Sequence, residues 1–364
     1  MDVVSTEGAF RRPAAGGVYL GELKQIADEL LFQNQPGALR EAAARLYSFF
    51  SRVTGLDEGP QRPGDSSGTL LPTGKALSLR DAAVCVLDYA RTSAFLKGTY
   101  AAVRRAQGRF PGGPVMILYA GCGPFATLAL PLATQFGPGQ VQFTLLDIHP
   151  ESLESARRAF QSLGLGRYVR DHVRGDASTY AHPPAEPLHM VITETMQRAL
   201  EKEPQVAVTA NLAPQLCPGG ILIPERITVD ANLCDLSKEF TLAADAPDGV
   251  FHPGGTDRAR INLGRVFELT AENARGLLAR RKDSPAGEAR LPAAAVEIPE
   301  GVGEGLQLVL STTVTVFDSV VLGEYDSSIT LPVILRDVKV GGRRTGIEFS
   351  YALGSAPGFR HRRV

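Results

Sequence analysis

A chain of 364 residues and 38.8 kDa exceeds what one compact core usually holds, so two or three domains of roughly 100–200 residues each are expected. A hydrophobic fraction of 44%, a charged fraction of 21% and a mean hydropathy of -0.03 argue against wholesale disorder, a collagen-like repeat and a membrane protein. The 38 Lys and Arg against 39 Asp and Glu leave a net charge of -1, which gives the chain as a whole no pull on nucleic acid or anionic lipid.

Residues 1 to about 17 carry Gly, Pro and Arg without periodicity and read as a poorly ordered arm. From Gly21 to about Val53 apolar residues recur at helical spacing (Leu23, Ile26, Leu30, Leu31, then Leu39, Ala43, Leu46, Phe49, Phe50), which predicts one or two amphipathic helices. Gly55 to Gly74 is rich in Gly, Pro and Ser and reads as a loop. Ser78 caps a further helix, with Ala82, Val86, Tyr89, Ala90 and Ala94 on one face, continuing through Tyr100 and Val103. Residues 1–109 thus form an N-terminal helical region.

The pattern then changes. VMILYA is a buried-strand run, followed by the glycine turn GCG and a helix-like ATLALPLATQF. VQFTLLD leads into HPESLESARRAFQSLG, where Pro150 and Glu151 suit a first helical turn and Leu153, Ala156 and Phe160 an apolar face. YVRDHVRGDAS, LHMVITE and ILIPERITVDANL supply further strands. Strands alternating with helices over 110–225 predict a Rossmann-like parallel sheet covered on both faces, an α/β class. Over 226–364 short β-rich runs take over (ITVDANL, LQLVLSTTVTVFD, SSITLPVILRDV, GIEFSYAL), which predicts a C-terminal antiparallel β-barrel or sheet, with TAENARGLLARRKD as an inserted helix. No internal repeat is evident.

Cys85, Cys122, Cys217 and Cys234 show no CxxC or CxxH spacing, so reduced thiols are expected and no metal site. The N-terminus has no basic start followed by an apolar stretch, and no run of about 18 apolar residues occurs, so a soluble cytoplasmic protein is expected. The basic clusters Arg280-Arg281-Lys282 and Arg343-Arg344 lack aromatic interleaving and read as exposed loop or helix ends.

Chemistry concentrates after the first long strand. Gly121 and Gly123 let the backbone approach a ligand closely, or make a tight strand-to-helix turn. Asp147 ends the next strand, where a carboxylate binds a ribose diol or caps the helix at Pro150. Asp176, in RGDAS, ends another strand and suits an adenine amino group or solvent. In VITETMQRALEKEP, Glu194 follows an apolar strand and Glu203 comes nine positions later. Two carboxylates at one cleft match the planar fork of a guanidinium. The other reading makes Glu203 a solvated surface group beside Glu201 and Lys202.

Together these residues resemble the class I S-adenosylmethionine-dependent methyltransferases. In that resemblance Gly121-Cys122-Gly123 is the first motif, Asp147 the ribose acid, and Asp176 and Ala177 lie beside adenine. Glu194 and Glu203, with Met196 between, resemble the double-glutamate loop of the protein arginine methyltransferases. Asp88 to Phe95 resembles that family's DxxRTxxY helix, whose Arg, here Arg91, contacts the methionine carboxylate. Arg91 also has a local alternative, pairing with Asp88 three positions away. The resemblance runs in order over about 80 to 350 and implies S-adenosyl-L-methionine as cofactor, with catalytic Glu194 and Glu203. A nicotinamide dehydrogenase is the nearest rival, though Ala126 stands where its motif normally has the third glycine.

The family's Thr-His-Trp loop is absent: the chain has no Trp, and SSITLPVIL has no His. His149 reads as lining the cofactor site, while the other histidines, including His182 and His361, read as solvated loop residues, and GFRHRRV as a mobile basic tail. The acceptor expected is an arginine-like guanidine, free or in a small molecule or peptide. Its methylation would be governed by in-line placement and by carboxylates that localise charge. The alternatives are transfer to another N, O or C nucleophile, and a non-catalytic cofactor-binding partner. The N-terminal helices would serve as a lid or as a homodimer surface.

Overall fold

The computed structural model describes residues 15–56, 68–241, 252–253, 260–280, 282–283, 289–303 and 305–364. The predicted arm therefore lies largely outside the described residues, as do Arg281 and much of the predicted 55–74 loop.

Two helices come first among the described residues, α1 (Ala15–Phe32) and α2 (Pro36–Thr54). Pro36 starts the second at a position whose N–H is not needed, and Gly55 ends it in the left-handed conformation. All nine apolar positions predicted from the spacing are buried. The rest of the predicted loop becomes a hairpin of β1 (Thr69–Leu71) and β2 (Gly74–Ala76).

Ser78 caps α3 (Leu79–Val84), its side chain accepting from the Asp81 N–H at 3.2 Å. The expected single helix is broken after it by a 3₁₀ turn, because the Asp88 side chain caps a second helix, α4 (Tyr89–Arg109), at the Arg91 N–H.

The parallel sheet contains β3 (Val115–Ala120), β4 (Val141–Asp147), β5 (Val169–Arg174), β6 (Met190–Thr193) and β7 (Ile221–Ile223). Its order is β5-β4-β3-β6-β7. The chain moves outward from β3 through β4 to β5 and then returns to β6 on β3's other side. The carboxyl ends of β3 and β6 therefore flank a topological switch point, where open α/β sheets bind ligands. Helices α5 (Pro150–Ser162) and α6 (Gln205–Leu212) follow β4 and β6. The predicted helix after the glycine turn is instead a run of turns ending in a 3₁₀ turn at Leu132–Thr134. Pro124 and Pro131 remove two N–H donors there, and Ala126 takes a positive φ of 43°.

The C-terminal part holds β8 (Arg226–Cys234), α7 (Leu236–Glu239), β9 (Phe240–Thr241), β10 (His252–Pro253), β11 (Arg260–Thr270), α8 (Ala271–Ala274) and β12 (Lys282–Asp283). Then come β13 (Ala289–Ile298), β14 (Gln307–Phe317), β15 (Val320–Leu322), β16 (Val333–Ile334), β17 (Thr345–Ala352) and β18 (Gly358–Arg363). They make two larger antiparallel sheets, β11-β8-β14-β15 with β16 on β14, and β12-β13-β17-β18. Phe267 of one sheet stacks on Tyr351 of the other at 5.6 Å, and Phe359 closes the cluster. The expected inserted helix is the short α8 and a 3₁₀ turn, whereas SSITLPVILRDV is mostly irregular. The supposed mobile tail GFRHRRV is the ordered strand β18, because its alternation pairs it with β17.

One apolar core runs through the N-terminal helices, the parallel sheet and the antiparallel sheets, from Leu23 and Phe49 through Phe143 and Met196 to Leu310 and Tyr351. No described helix is long and apolar enough to cross a membrane.

Candidate functional site

The strand ends bring most of the singled-out residues to one cleft of about 1090 Å³, measured out to open solvent. Arg91, Gly121, Gly123, Asp147, Asp176, Ala177, Glu194 and Glu203 all line it. Its walls are largely apolar, with Val86, Phe95, Phe125 and Leu128 among them.

The glycine turn is tight for reasons internal to the protein. Gly121 has a φ of 70°, and a Cβ there would lie 2.6 Å from Thr195 Cγ2, next to Glu194. Gly123, with a φ of 64°, faces more open space. The Gly121 and Cys122 N–H groups donate to the Leu146 carbonyl at 2.8 and 3.2 Å. The Gly123 N–H donates to Asp147 Oδ2 at 2.9 Å, and Pro124 has no N–H. These three N–H groups are bonded to β4, while Gly121 and Gly123 both line the cleft. A pyrophosphate is usually held by free N–H donors at a helix N-terminus, whereas here the glycine N–H groups are bonded to β4 and turns, not a helix, follow.

Asp147 is 7% exposed. Besides Gly123 it accepts from the His149 N–H at 2.9 Å, so it braces the glycine turn against the start of α5, while His149 is the residue at the helix N-cap position. The His149 imidazole has its pKa raised by hydrogen bonding to Asp147, and its Nε2 lies 2.9 Å from Thr69 Oγ1 on the hairpin. Asp176 is turned partly inward: Oδ1 accepts from the Ser178 N–H at 2.8 Å and the Ser178 hydroxyl at 2.7 Å. The Ala177 carbonyl accepts from Asn211 Nδ2 at 2.9 Å, which ties this edge to α6.

Glu194 stands at the carboxyl end of β6 and Glu203 just before α6, which brings both carboxylates to the cleft from opposite ends of one loop. Glu203 is 6% exposed, so the solvated-surface alternative does not hold. The exposed residue of this stretch is instead Lys202, while Glu201 is half-buried and pairs with Arg198. The Arg91 guanidinium forms an ion pair with Glu194 Oε2, not with Asp88. Glu194 Oε1 is buried without a hydrogen-bond partner. Burial pushes Glu194 up to about 7 against the pull of Arg91, and Glu203 up to about 6. Arg91 is itself discouraged by burial, but Glu194 more than offsets this and raises its pKa.

The loop between the two glutamates holds three left-handed non-glycine residues: Ala199 (φ 48°), Leu200 (φ 56°) and Lys202 (φ 67°). Such backbone costs of order 1–3 kcal/mol per residue and persists only where the surroundings fix it. The surroundings are specific. Ala199 N–H donates to Thr312 Oγ1 at 2.8 Å, and buried Tyr351 donates its hydroxyl to the Leu200 carbonyl at 2.7 Å. Lys202 N–H donates to the Pro357 carbonyl at 3.0 Å, and its own carbonyl accepts from Lys75 N–H at 2.7 Å. Gln205, buried, accepts from the Thr195 N–H and hydroxyl at 2.9 and 3.1 Å and holds the first glutamate's neighbour to α6.

Sequence reasoning missed Lys75, Cys85, Tyr119 and Gln205, of which the first three line the cleft. Lys75 falls between the predicted 55–74 loop and the Ser78 cap, and Cys85 within the predicted helix, and nothing in their spacing marks them. The His182 ring nitrogens are buried without partners, and His361 lies on β18 with Nε2 3.0 Å from Asp337, so neither is a solvated loop residue. Asp88 Oδ2 accepts from Ser327 Oγ, Ser328 N and Ser328 Oγ at 2.7, 3.0 and 2.8 Å, so SSITLPVIL does meet the start of α4, through serines.

The N-terminal elements cover this site. Tyr47 and Phe50 of α2 pack on Phe125 just after the glycine turn, at 6.0 and 5.2 Å. The β1–β2 hairpin spans the cleft, bonding to His149, to Ser178 through Thr73 at 3.2 Å, and to Lys202. Among the described residues no cluster of three or more His, Cys, Asp or Glu is arranged to hold a metal.

No protein-family model matches the chain, and no curated protein matches it. Among solved structures, the chain is similar to a Trypanosoma brucei PRMT1 enzyme-prozyme heterotetrameric complex with AdoHcy, at 11% identity and a TM-score of 0.45, over 77% of this chain and 96% of that one.

Proposed function

We propose that the chain is an S-adenosylmethionine-dependent N-methyltransferase acting on the guanidino group of arginine, free or in a small molecule or peptide. The observation that carries this reading is the convergence of two buried carboxylates, Glu194 and Glu203, on the cleft that Asp147 and the glycine turn line.

The cleft suits the cofactor. Asp147 would hold the ribose, Asp176 and Ala177 the adenine edge, and Arg91 the methionine carboxylate. A turn whose N–H groups are spent internally favours a nucleoside without phosphates, and so disfavours the dehydrogenase alternative. When bound, the cofactor supplies an electrophilic methyl group on a sulfonium, whose S–C bond breaks as the N–C bond forms.

The chain's own groups do the rest. Glu194 Oε1, buried and unpartnered, and the Glu203 carboxylate accept N–H donors from the guanidinium. Their charge draws the positive charge onto the bound nitrogens and leaves electron density on the attacking one. The displaced proton passes to a carboxylate. With a pKa raised to about 7, Glu194 is suited to take it and release it to solvent. The same raised pKa favours a second reading, in which the glutamates serve as general base for another N, O or C nucleophile.

Labelled S-adenosylmethionine offered with guanidines, amines, hydroxyl compounds and arginine peptides separates the readings. Label on guanidino nitrogen supports the proposal, label on another atom supports the second reading, and cofactor binding without transfer to any acceptor indicates a non-catalytic protein.

A further inference from the structure

The hairpin brings a cation to the acceptor end of the cleft. Gly74 of β2 packs on the double-glutamate loop so closely that a Cβ would lie 2.9 Å from the Lys202 carbonyl oxygen and 3.0 Å from the Glu203 carbonyl carbon. The next residue, Lys75, is pinned there by its N–H donation to Lys202. Lys75 lines the cleft and is half-buried. Among the described residues Lys75 and Arg91 are the cleft's Lys and Arg side chains, and Arg91 is ion-paired with Glu194 and, in the reading above, also serves the methionine carboxylate. No described carboxylate lies within ion-pair distance of the Lys75 ammonium, although its charge acts on Glu203 and favours that group's ionised form. Besides Asp147 and Asp176, the cleft thus presents the Glu194 and Glu203 carboxylates and, beside Glu203, an ammonium with no ion-pair partner among the described residues. A ligand carrying only a guanidinium leaves that ammonium unpaired, whereas one that also carries an anion satisfies both ends.

We propose that the acceptor is a guanidine bearing its own carboxylate, with Lys75 pairing with that carboxylate while Glu194 and Glu203 hold the guanidinium. This rests on the functional reading above and narrows it to amphoteric acceptors such as free arginine-type amino acids. The hairpin that carries Lys75 bridges the cleft, which favours such a small acceptor over a long peptide.

N-acetyl-L-arginine and N-acetyl-L-argininamide differ in the carboxylate alone. They would be compared as methyl acceptors and, without turnover, as ligands by calorimetry in the presence of S-adenosylhomocysteine. The wild-type chain should favour the acid by about tenfold in both kcat/KM and Kd. In Lys75→Met, which keeps the aliphatic stem, the ratio should fall to about one, and Lys75→Glu should invert it. Equal use of the two compounds by the wild-type chain, or an unchanged ratio in Lys75→Met, would overturn the proposal. If neither compound is bound or methylated, the guanidine reading itself fails and takes this proposal with it. The wild-type comparison stands even where a variant folds poorly.

Discussion

Arg91 and Glu194 form an ion pair that joins the first turn of α4 to the carboxyl end of β6, with both side chains 12% exposed. One glutamate oxygen pairs with the arginine and the other is buried without a hydrogen-bond partner. The resemblance assigns these residues to different molecules, one to the cofactor and one to the acceptor. The pair makes them a single electrostatic unit, so on the proposed reading the cofactor and acceptor sites would meet at one shared charge.

Breaking this pair from one side leaves a buried charge uncompensated, at a cost of about 3–5 kcal/mol. Arg91→Met should therefore destabilise the fold by about 3 kcal/mol in urea unfolding, and Arg91→Met with Glu194→Leu should recover most of that loss. A loss within about 0.5 kcal/mol for Arg91→Met would show the pair to be energetically idle.

Glu203, raised to about 6 from an ordinary 4.5, binds a proton in the folded chain at pH values where the unfolded chain has released it. Its contribution is fully present below about pH 4.5 and is lost as pH rises through about 6. Glu194, raised to about 7, extends the window upward. Glu203→Gln should thus gain stability relative to wild type as pH rises from 4.5 to 7 in urea titrations. Parallel curves would contradict the shift. If both carboxylates act ionised, turnover should also climb through pH 6 to 7 and level off above.

Asp88 serves α4 and the 327–328 turn at once. Asp88→Ala removes a helix cap worth about 1 kcal/mol and the bonds to two serines, so a loss of about 2–3 kcal/mol is expected in urea unfolding. Ser328→Ala should cost about 1 kcal/mol. Equal and negligible losses would show that this junction does not anchor the helix.

Tyr351→Phe leaves the Leu200 carbonyl without the donor that faces it in a fully buried setting, at about 1–3 kcal/mol. Because Leu200 sits in the left-handed stretch between the glutamates, kcat should fall more than KM rises. A loss of stability with unchanged kcat would make Tyr351 a core residue and nothing more.

Much of the parallel sheet was legible because β3, β4 and β6 are largely apolar runs, and Gly121, Asp147 and Glu194 stand at or just past their carboxyl ends. Glu194 and Glu203 stood out by type and spacing. The helix expected after Gly123 was not legible as turns, since its apolar spacing is helical and the prolines act through lost N–H donors and ring clashes. Strands β11 and β13 escaped notice because Gly, Arg, Pro and a run of alanines interrupt their alternation, and register shifts between Asn262 and Gly264 and between Pro292 and Ala295 absorb the interruptions. The Arg91–Glu194 pair, the Lys75 ammonium and the Tyr351 clamp all link residues far apart in the chain. No local pattern encodes them.

Whether Glu194 and Glu203 hold an acceptor guanidinium is decided by single-turnover methyl transfer in Glu194→Gln and Glu203→Gln, with cofactor affinity measured by calorimetry on the same samples. Each variant should lose at least about 100-fold in transfer rate to a guanidine that the wild-type chain methylates. Glu203→Gln should keep its cofactor Kd within about threefold of wild type, well under the tenfold that 1.4 kcal/mol represents. Transfer at the wild-type rate by either variant would show that its carboxylate does not hold the acceptor.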